Sequence, residues 1–144
     1  MKGLAWKIWF IFFMLLCMLA YFIVIVFKPI LPKRLYKRLV YRCVSFWART
    51  TVLSTGSTVK VVGKENLPQS ESICFISNHP GMFDIPFVLG FLGIPVGFIA
   101  KPELFKIPVP SRWMQEIPCV FIDRGSSRKA KDYFVKRANV IEDR

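Results

Sequence analysis

An uninterrupted apolar run near the amino terminus constrains the fold of this chain more than any other feature. Residues 8–27 are twenty consecutive uncharged, almost wholly apolar residues. At about 1.5 Å per residue, a helix of that length crosses a hydrocarbon core of roughly 30 Å. A cleaved signal peptide is the alternative, but the run exceeds a typical signal core and no small-x-small cleavage pattern follows it. We predict an uncleaved transmembrane anchor over residues 1–28, with Trp6 and Trp9 at one interface.

Basic residues crowd the carboxyl side of this run. The chain has 21 basic and 9 acidic residues, a net charge of +12, and nine of the basic ones fall from Lys28 to Lys64, before the first acidic residue, Glu65. The positive-inside rule then places the body of the protein in the cytoplasm. Nucleic acid is the competing partner for a basic chain, but no nucleic-acid motif is present and the charges adjoin a membrane span. We predict membrane lipids as partners and no nucleic acid.

The segment 29–56 combines these charges with a helical pattern. Apolar residues recur at helical spacing between the arginines and lysines: Leu35, Leu39, Val40, Cys43, Val44 and Trp47. A helix lying in the membrane interface fits this pattern. A helix packed on the globular domain with a solvated basic face fits it equally. We predict a basic amphipathic membrane-surface segment, and both arrangements stay open.

The rest of the chain, 57–144, alternates between short apolar segments and helical patterns. Strands are predicted at four positions: 59–62, 73–77, 96–100 and 120–123. Helices are predicted to begin near Asp84, to continue in segments through Met114, and to extend over 127–141. Such alternation is typical of an α/β fold with a mostly parallel sheet.

The four cysteines do not form a recognisable site. They are scattered, lie in apolar surroundings, and have neither a C-x-x-C spacing nor a second histidine to complete a zinc site. We predict no metal, and core cysteines in a reducing compartment.

Residues 78–84 hold the only histidine of the chain and a carboxylate five positions after it. Imidazole titrates near neutral pH, so His79 is the first candidate for a general base. A hydrogen bond from one ring nitrogen to Asp84 would fix the tautomer and stabilise the imidazolium. A strand before the pair and a helix after it would place both side chains at a strand's carboxyl end, where α/β sheets bind ligands. A structural histidine is the alternative.

A second apolar strand ending in charge, 119–125, repeats this design downstream. Together the two segments resemble the glycerolipid acyltransferases typified by 1-acylglycerol-3-phosphate (lysophosphatidate) acyltransferase. The resemblance has three parts: Asn78, His79 and Asp84 fit the family block N-H-x-x-x-x-D, residues 121–124 fit F-I-D-R, and residues 100–104 are similar to A-K-x-E-L. It covers about residues 58–135. The resemblance implies an amino-terminal transmembrane helix followed by a truncated α/β acyltransferase domain.

The resemblance also implies a reaction: acyl transfer from acyl-CoA or acyl-carrier protein to the free hydroxyl of lysophosphatidate, with no bound cofactor. His79 and Asp84 would be catalytic, with Asn78 supporting them. Arg124 would hold the acceptor's phosphate, for which a guanidinium fork is suited, with donors from Gly125 behind it. An ion pair between Arg124 and a nearby aspartate is the alternative. Lys101 would approach the acyl donor, or is a solvated surface charge.

Two departures accompany the resemblance. Gly81 stands where the family usually carries a polar residue, two places after the histidine. The family also continues with a third block, E-G-T-R, and a fourth containing proline, whereas this sequence stops at Arg144 before either. We therefore expect a partial acyltransferase domain. The rival hypotheses are a non-catalytic, membrane-tethered protein that binds lipid or a partner, and an acyltransferase using glycerol-3-phosphate or another lysolipid.

Overall fold

The computed structural model describes residues 3–68, 73–78 and 81–121 of the 144-residue chain. Its first element confirms the predicted apolar helix: α1 is Gly3–Phe27. This helix is long and apolar enough to cross a membrane. Aromatic rings stack along it one turn apart, with centroids 5.0 Å apart for Trp6 and Phe10 and 5.2 Å for Trp9 and Phe13. Most of its large apolar side chains are exposed, as expected of a helix whose surroundings are lipid.

The second helix, α2, is Lys33–Ser54 and confirms the predicted amphipathic helix. Its buried face repeats every four residues: Tyr36, Val40, Val44, Ala48 and Val52. Because residues four apart share one side of a helix, this stripe is a continuous apolar face. Leu35 belongs to the predicted apolar set but lies about 100° away from Tyr36 on the helix and is half exposed.

The chain divides into two compact units. The described parts of Met1–Tyr41 and Val96–Arg144 form one, and Arg42–Pro95 forms the other, so α2 contributes residues to both. In the first unit, α4 (Pro108–Glu116) packs against α1. The Trp113 indole N–H donates to the Cys17 carbonyl oxygen at 3.3 Å, and its ring lies edge-on to Tyr21 with centroids 5.5 Å apart.

A polar cluster lies at the end of α4, in the same unit. The Glu116 carboxylate is 2.9 Å from the Lys28 ammonium and accepts a 2.7 Å hydrogen bond from the Tyr36 hydroxyl. The Glu116 side chain is only 11% exposed, so these partners satisfy a charge that would otherwise be costly to bury. We call Lys28, Tyr36 and Glu116 the Glu116 cluster. It links the turn after α1, the start of α2 and the end of α4.

The described sheet consists of two parallel strands, β1 (Ile99–Ala100) and β2 (Val120–Phe121). Between them the chain forms a 3-10 helix at Pro102–Lys106 and then α4, the kind of crossover that parallel strands require. This confirms the α/β expectation. Of the strand predicted at 96–100 only Ile99–Ala100 is strand, and of the one predicted at 120–123 Val120–Phe121 is strand, while 122 and 123 lie outside the described residues. Gly97 lies against the Pro118 carbonyl, where any larger side chain would collide.

In the second unit, α3 (Asp84–Phe91) packs closely against α2. Gly90 permits the approach, because a Cβ atom there would lie 2.9 Å from the Arg49 backbone nitrogen. The Arg49 guanidinium donates to the Gly90 carbonyl oxygen at 3.4 Å and lies 5.0 Å from the centroid of the Phe91 ring. A 3-10 helix, Lys64–Asn66, lies earlier in this unit.

Two strand predictions are wrong. Segments 59–62 and 73–77 form neither helix nor strand, and Val62 and Ile76 in them are 79% and 94% exposed. An apolar sequence makes a segment suitable for a strand, but a strand forms only where a neighbour supplies the hydrogen-bond partners. Within the described residues, only β1 and β2 pair in this way. The helix predicted at 127–141 lies outside the described residues.

Candidate active site

A tight turn at the start of α3 positions the predicted catalytic carboxylate. Asp84 Oδ2 accepts a hydrogen bond from the Gly81 backbone N–H at 3.0 Å, and the Asp84 N–H donates to the Gly81 carbonyl oxygen at 3.4 Å. Asp84 is the first residue of α3, and Pro86 lies in the first turn of that helix, as predicted. The carboxylate therefore lies at the amino-terminal end of the helix.

Gly81 has a role at this site that the sequence did not reveal. It contributes its backbone N–H, and its Cα has open space around it, because an added Cβ would meet nothing within 4 Å. A polar side chain is therefore not needed at this position to hold Asp84. In a capping box, a side chain accepts a hydrogen bond from the backbone N–H of the residue three positions earlier, and Gly81 and Asp84 have this spacing. The spacing is the one signal in the sequence that could have indicated the bond.

The predicted partner of Asp84 lies just outside the described residues. His79 is two residues before Gly81, and exposed Asn78 is the last described residue before the gap. Because Gly81 holds Oδ2, the carboxylate is fixed to the chain segment that follows the histidine directly. The pairing of His79 with Asp84 stays a prediction.

Lys101 follows directly after β1 and is exposed, as predicted for a residue at a strand's carboxyl end. It precedes the 3-10 helix Pro102–Lys106. The register pairs Ala100 with Phe121, so the two parallel strands run toward the same edge of the sheet. Arg124 and Gly125 follow Phe121 by three and four residues in the sequence, and their own positions lie outside the described residues. Among the residues that are described, no group of His, Cys, Asp or Glu side chains is placed to hold a metal ion.

Comparison with known proteins adds the decisive observation, since a profile of the acyltransferase family matches residues 58–144. The chain belongs to the acyltransferase family. The match begins four residues after α2 ends, so both long helices of this acyltransferase precede it. It contains the turn before α3, β1 and β2, and all the residues predicted for the site: Asn78, His79, Asp84, Lys101, Arg124 and Gly125.

Two curated relatives are similar to this acyltransferase. The 1-acyl-sn-glycerol-3-phosphate acyltransferase of Borreliella burgdorferi is 26% identical over 88 residues, which cover 61% of this chain and 35% of the relative. A chloroplastic 1-acyl-sn-glycerol-3-phosphate acyltransferase of Brassica napus is 34% identical over 87 residues, which cover 60% of this chain and 25% of the relative. The matched part thus spans about a third and a quarter of their lengths. No solved structure matches the chain significantly.

Proposed function

We propose that this acyltransferase transfers a fatty acyl group from acyl-CoA or acyl-carrier protein to the free hydroxyl of lysophosphatidate, giving phosphatidate. The observation that carries the proposal is the Asp84 carboxylate, which is held by the Gly81 N–H two residues after the only histidine of the chain. The family match and the names of the two relatives support the reaction class and the acceptor.

In this proposal His79, oriented by Asp84, takes the proton from the acceptor hydroxyl while its oxygen attacks the thioester carbonyl. The tetrahedral intermediate collapses to the ester, and the leaving thiolate takes the proton back from the imidazolium. The acyl group passes directly between substrates, so the scheme needs neither an acyl-enzyme nor a bound cofactor. The acyl donor is a co-substrate.

Three further residues have roles in the scheme. Arg124 holds the acceptor's phosphate by its two-pronged guanidinium, and Gly125 adds a backbone donor beside it. Lys101, exposed at the end of β1, approaches the acyl donor, where an ammonium suits its phosphates. Asn78 supports the histidine from the preceding position.

We further propose that the protein is a single-pass membrane enzyme with its catalytic domain on the cytoplasmic side. α1 is long and apolar enough to serve as the span. The basic residues that follow it favour the cytoplasmic side. The proposed organisation is an anchor at 1–28, a membrane-surface segment at 29–56 and an acyltransferase domain at 57–144.

The test is acyl transfer to lysophosphatidate by membranes containing the full-length protein. We expect His79→Ala to abolish transfer and Asp84→Asn to lower it to near background. The asparagine carbonyl can still accept from the Gly81 N–H, so the turn is kept and only the charge is lost. Glu65→Gln, which neutralises an exposed carboxylate elsewhere, is the matched control. Substantial turnover by His79→Ala would remove the general-base assignment.

The same assay separates the competing functions. Lysophosphatidate, other lysolipids and glycerol-3-phosphate are offered as alternative acceptors to equal amounts of protein. We expect lysophosphatidate to be preferred. A protein that binds lysophosphatidate and never acylates it would instead be a lipid-binding module.

A further inference from the structure

A groove in the second unit runs between the segment 58–62 and α3. Its helical wall consists of four side chains: Phe87, Val88, Phe91 and Leu92. They follow Asp84 by three, four, seven and eight positions, which places them on the same side of α3 as that residue. Leu89 and Gly90 lie on the opposite side and are buried. The helical wall of the groove therefore begins one turn after the candidate catalytic carboxylate.

The lining of the groove is mostly apolar. Val59, Val61 and Val62 contribute its second wall, and only Thr58 and Lys60 add polar side chains. The volume of the groove is about 510 Å³, and sites for small molecules usually measure about 300–1,000 Å³. An open apolar groove of this size suits a hydrocarbon chain better than a sugar or a charged group.

Both walls of the groove lead to one lysine. Val62 and Leu92 are the last lining residues of the two walls, and Lys64 and Gly93 come directly after them at two and one positions. The Lys64 Nζ atom lies 2.6 Å from the point that a Cβ atom on Gly93 would occupy. Glycine leaves room for the ammonium there, at a φ of 84°. The ammonium thus lies at the carboxyl end of α3, where the apolar path ends.

From this geometry we propose that the groove binds the fatty acyl chain of the donor and that Lys64 determines how much of that chain is bound. The proposal rests on the proposed function. The donor's chain begins at the carbonyl carbon that the acceptor hydroxyl attacks. The acceptor's own chain is separated from its reacting hydroxyl by the glycerol backbone. A groove that begins one turn after Asp84 therefore fits the donor's chain better.

The length of the groove gives the number of carbons that it can hold. Gly93 is nine residues after Asp84, a distance of about 13 Å along the helix. An extended hydrocarbon chain advances about 1.3 Å per carbon, because its bonds of about 1.5 Å meet at tetrahedral angles. About ten carbons therefore fit between the candidate catalytic carboxylate and the lysine.

Lys64 is a charged stop in this arrangement. Each methylene group that enters the groove leaves water, which raises kcat/KM by up to about fourfold. A methylene group beyond the lysine gains nothing, because covering the ammonium with hydrocarbon would remove its hydration. We expect kcat/KM to rise with donor chain length up to about ten carbons and then to level off.

The test measures acyl transfer by the full-length protein in detergent, with donors from butanoyl-CoA to tetradecanoyl-CoA and one lysophosphatidate. The donors are kept below their micelle-forming concentrations, so that each chain enters the groove from water. The same acyl groups on acyl-carrier protein form a second series.

Three variants locate the limit. Lys64→Leu continues the apolar path and should extend the rise by two or more carbons. Val88→Trp narrows the groove near its start and should end the rise roughly five carbons earlier, from its position on the helix. Lys106→Leu makes the same change at an exposed lysine outside the groove and should leave the profile unaltered. Lys64 is exposed, so its substitution does not disturb a buried contact.

A second measurement does not depend on turnover. Decanoyl-CoA with a diazirine at the last carbon of its chain is bound to the protein and photolysed, and the cross-linked peptides are mapped. We expect cross-links at 62–64 and 92–93. Lysophosphatidate with a diazirine at the end of its acyl chain should label these positions weakly.

The outcomes separate this proposal from the proposed function. Acyl transfer with a chain-length profile that Lys64→Leu leaves unchanged would overturn the proposal while the proposed function stands. Stronger labelling of the groove by the lysophosphatidate probe would also overturn it, because the groove would then hold the acceptor's chain. Labelling of the groove by the donor probe without any acyl transfer would support chain binding and contradict the proposed function.

Discussion

At Gly97 a single hydrogen atom in place of a side chain allows two segments of the first unit to approach. A Cβ atom there would overlap the Pro118 carbonyl, which is backbone and cannot rotate away. We expect Gly97→Ala to lower stability by about 1–3 kcal/mol, the usual range for overpacking a tight site. Thermal unfolding in detergent measures this. Gly81→Ala is the matched control, because its Cβ would meet nothing within 4 Å. Equal stability of the two variants would contradict the close approach.

Two cysteines offer a contrast in reactivity. Cys74 is exposed, whereas Cys119 is buried, and burial raises the pKa of the Cys119 thiol to about 11. At pH 8 a maleimide should label Cys74 quickly and Cys119 only after unfolding, because the thiolate is the reactive form. Peptide mapping after timed labelling measures both rates. Rapid labelling of Cys119 in the folded protein would show that β2 is not buried as described.

The Cys119 thiol also predicts how the stability of the folded protein depends on pH. Its pKa is raised in the folded state above the ordinary value of 9.0. Its contribution to stability is therefore fully present below about pH 9 and is lost as the pH rises toward 11, because the unfolded chain releases the proton first. Cys119→Ala should reduce the slope of stability against pH between those values. Chemical denaturation at several pH values tests this, and an identical slope in the variant would contradict it.

At the scale of elements, the Glu116 cluster connects two long helices of the chain to α4. Glu116→Ala would leave the Tyr36 hydroxyl, on a buried side chain, without its acceptor, at a cost of about 1–3 kcal/mol. Glu116→Gln keeps an acceptor for Tyr36 and loses mainly the ion pair with half-exposed Lys28, at a cost of about 0–1 kcal/mol. Thermal unfolding should give a lower melting temperature for Glu116→Ala than for Glu116→Gln. Glu103→Ala, at an exposed carboxylate, is the control.

Elements fixed by local rules were predictable, whereas of the four predicted strands only the two that pair with each other, β1 and β2, are strands within the described residues. α1, α2 and the start of α3 follow from an apolar run, a helical repeat, and Asp84 with Pro86. The apolar segments 59–62 and 73–77 were predicted as strands for similar reasons, but strand pairing is decided by residues far away in the sequence. At the site, the Asp84 carboxylate could be identified from the sequence because it is a side chain. The Gly81 donor could not be identified, because every residue except proline carries the same backbone N–H.

The proposed cytoplasmic placement of the catalytic domain predicts which positions of the molecule a membrane-impermeant reagent can reach in intact cells. Ser57 is exposed shortly after α2 and can be changed to cysteine in a Cys74→Ser background. In intact cells we expect Cys at this position to be protected from a membrane-impermeant reagent and labelled only once the membrane is opened. A matched Gly3→Cys variant, at the first residue of α1, should behave oppositely if α1 crosses the bilayer. Labelling at position 57 in unopened cells would place the domain outside.

The Glu116 cluster also bears on the order in which the molecule assembles. Lys28 and Tyr36 lie 88 and 80 positions before Glu116 in the chain. At a synthesis rate of about 5–20 residues per second, Lys28 leaves the ribosome roughly 4–18 s before Glu116 does. During that interval α1 has no α4 to pack against, and its apolar side chains need other surroundings. We therefore expect the bilayer to be the first partner of α1 and α4 the second, so that anchoring precedes folding and the first unit closes at the membrane.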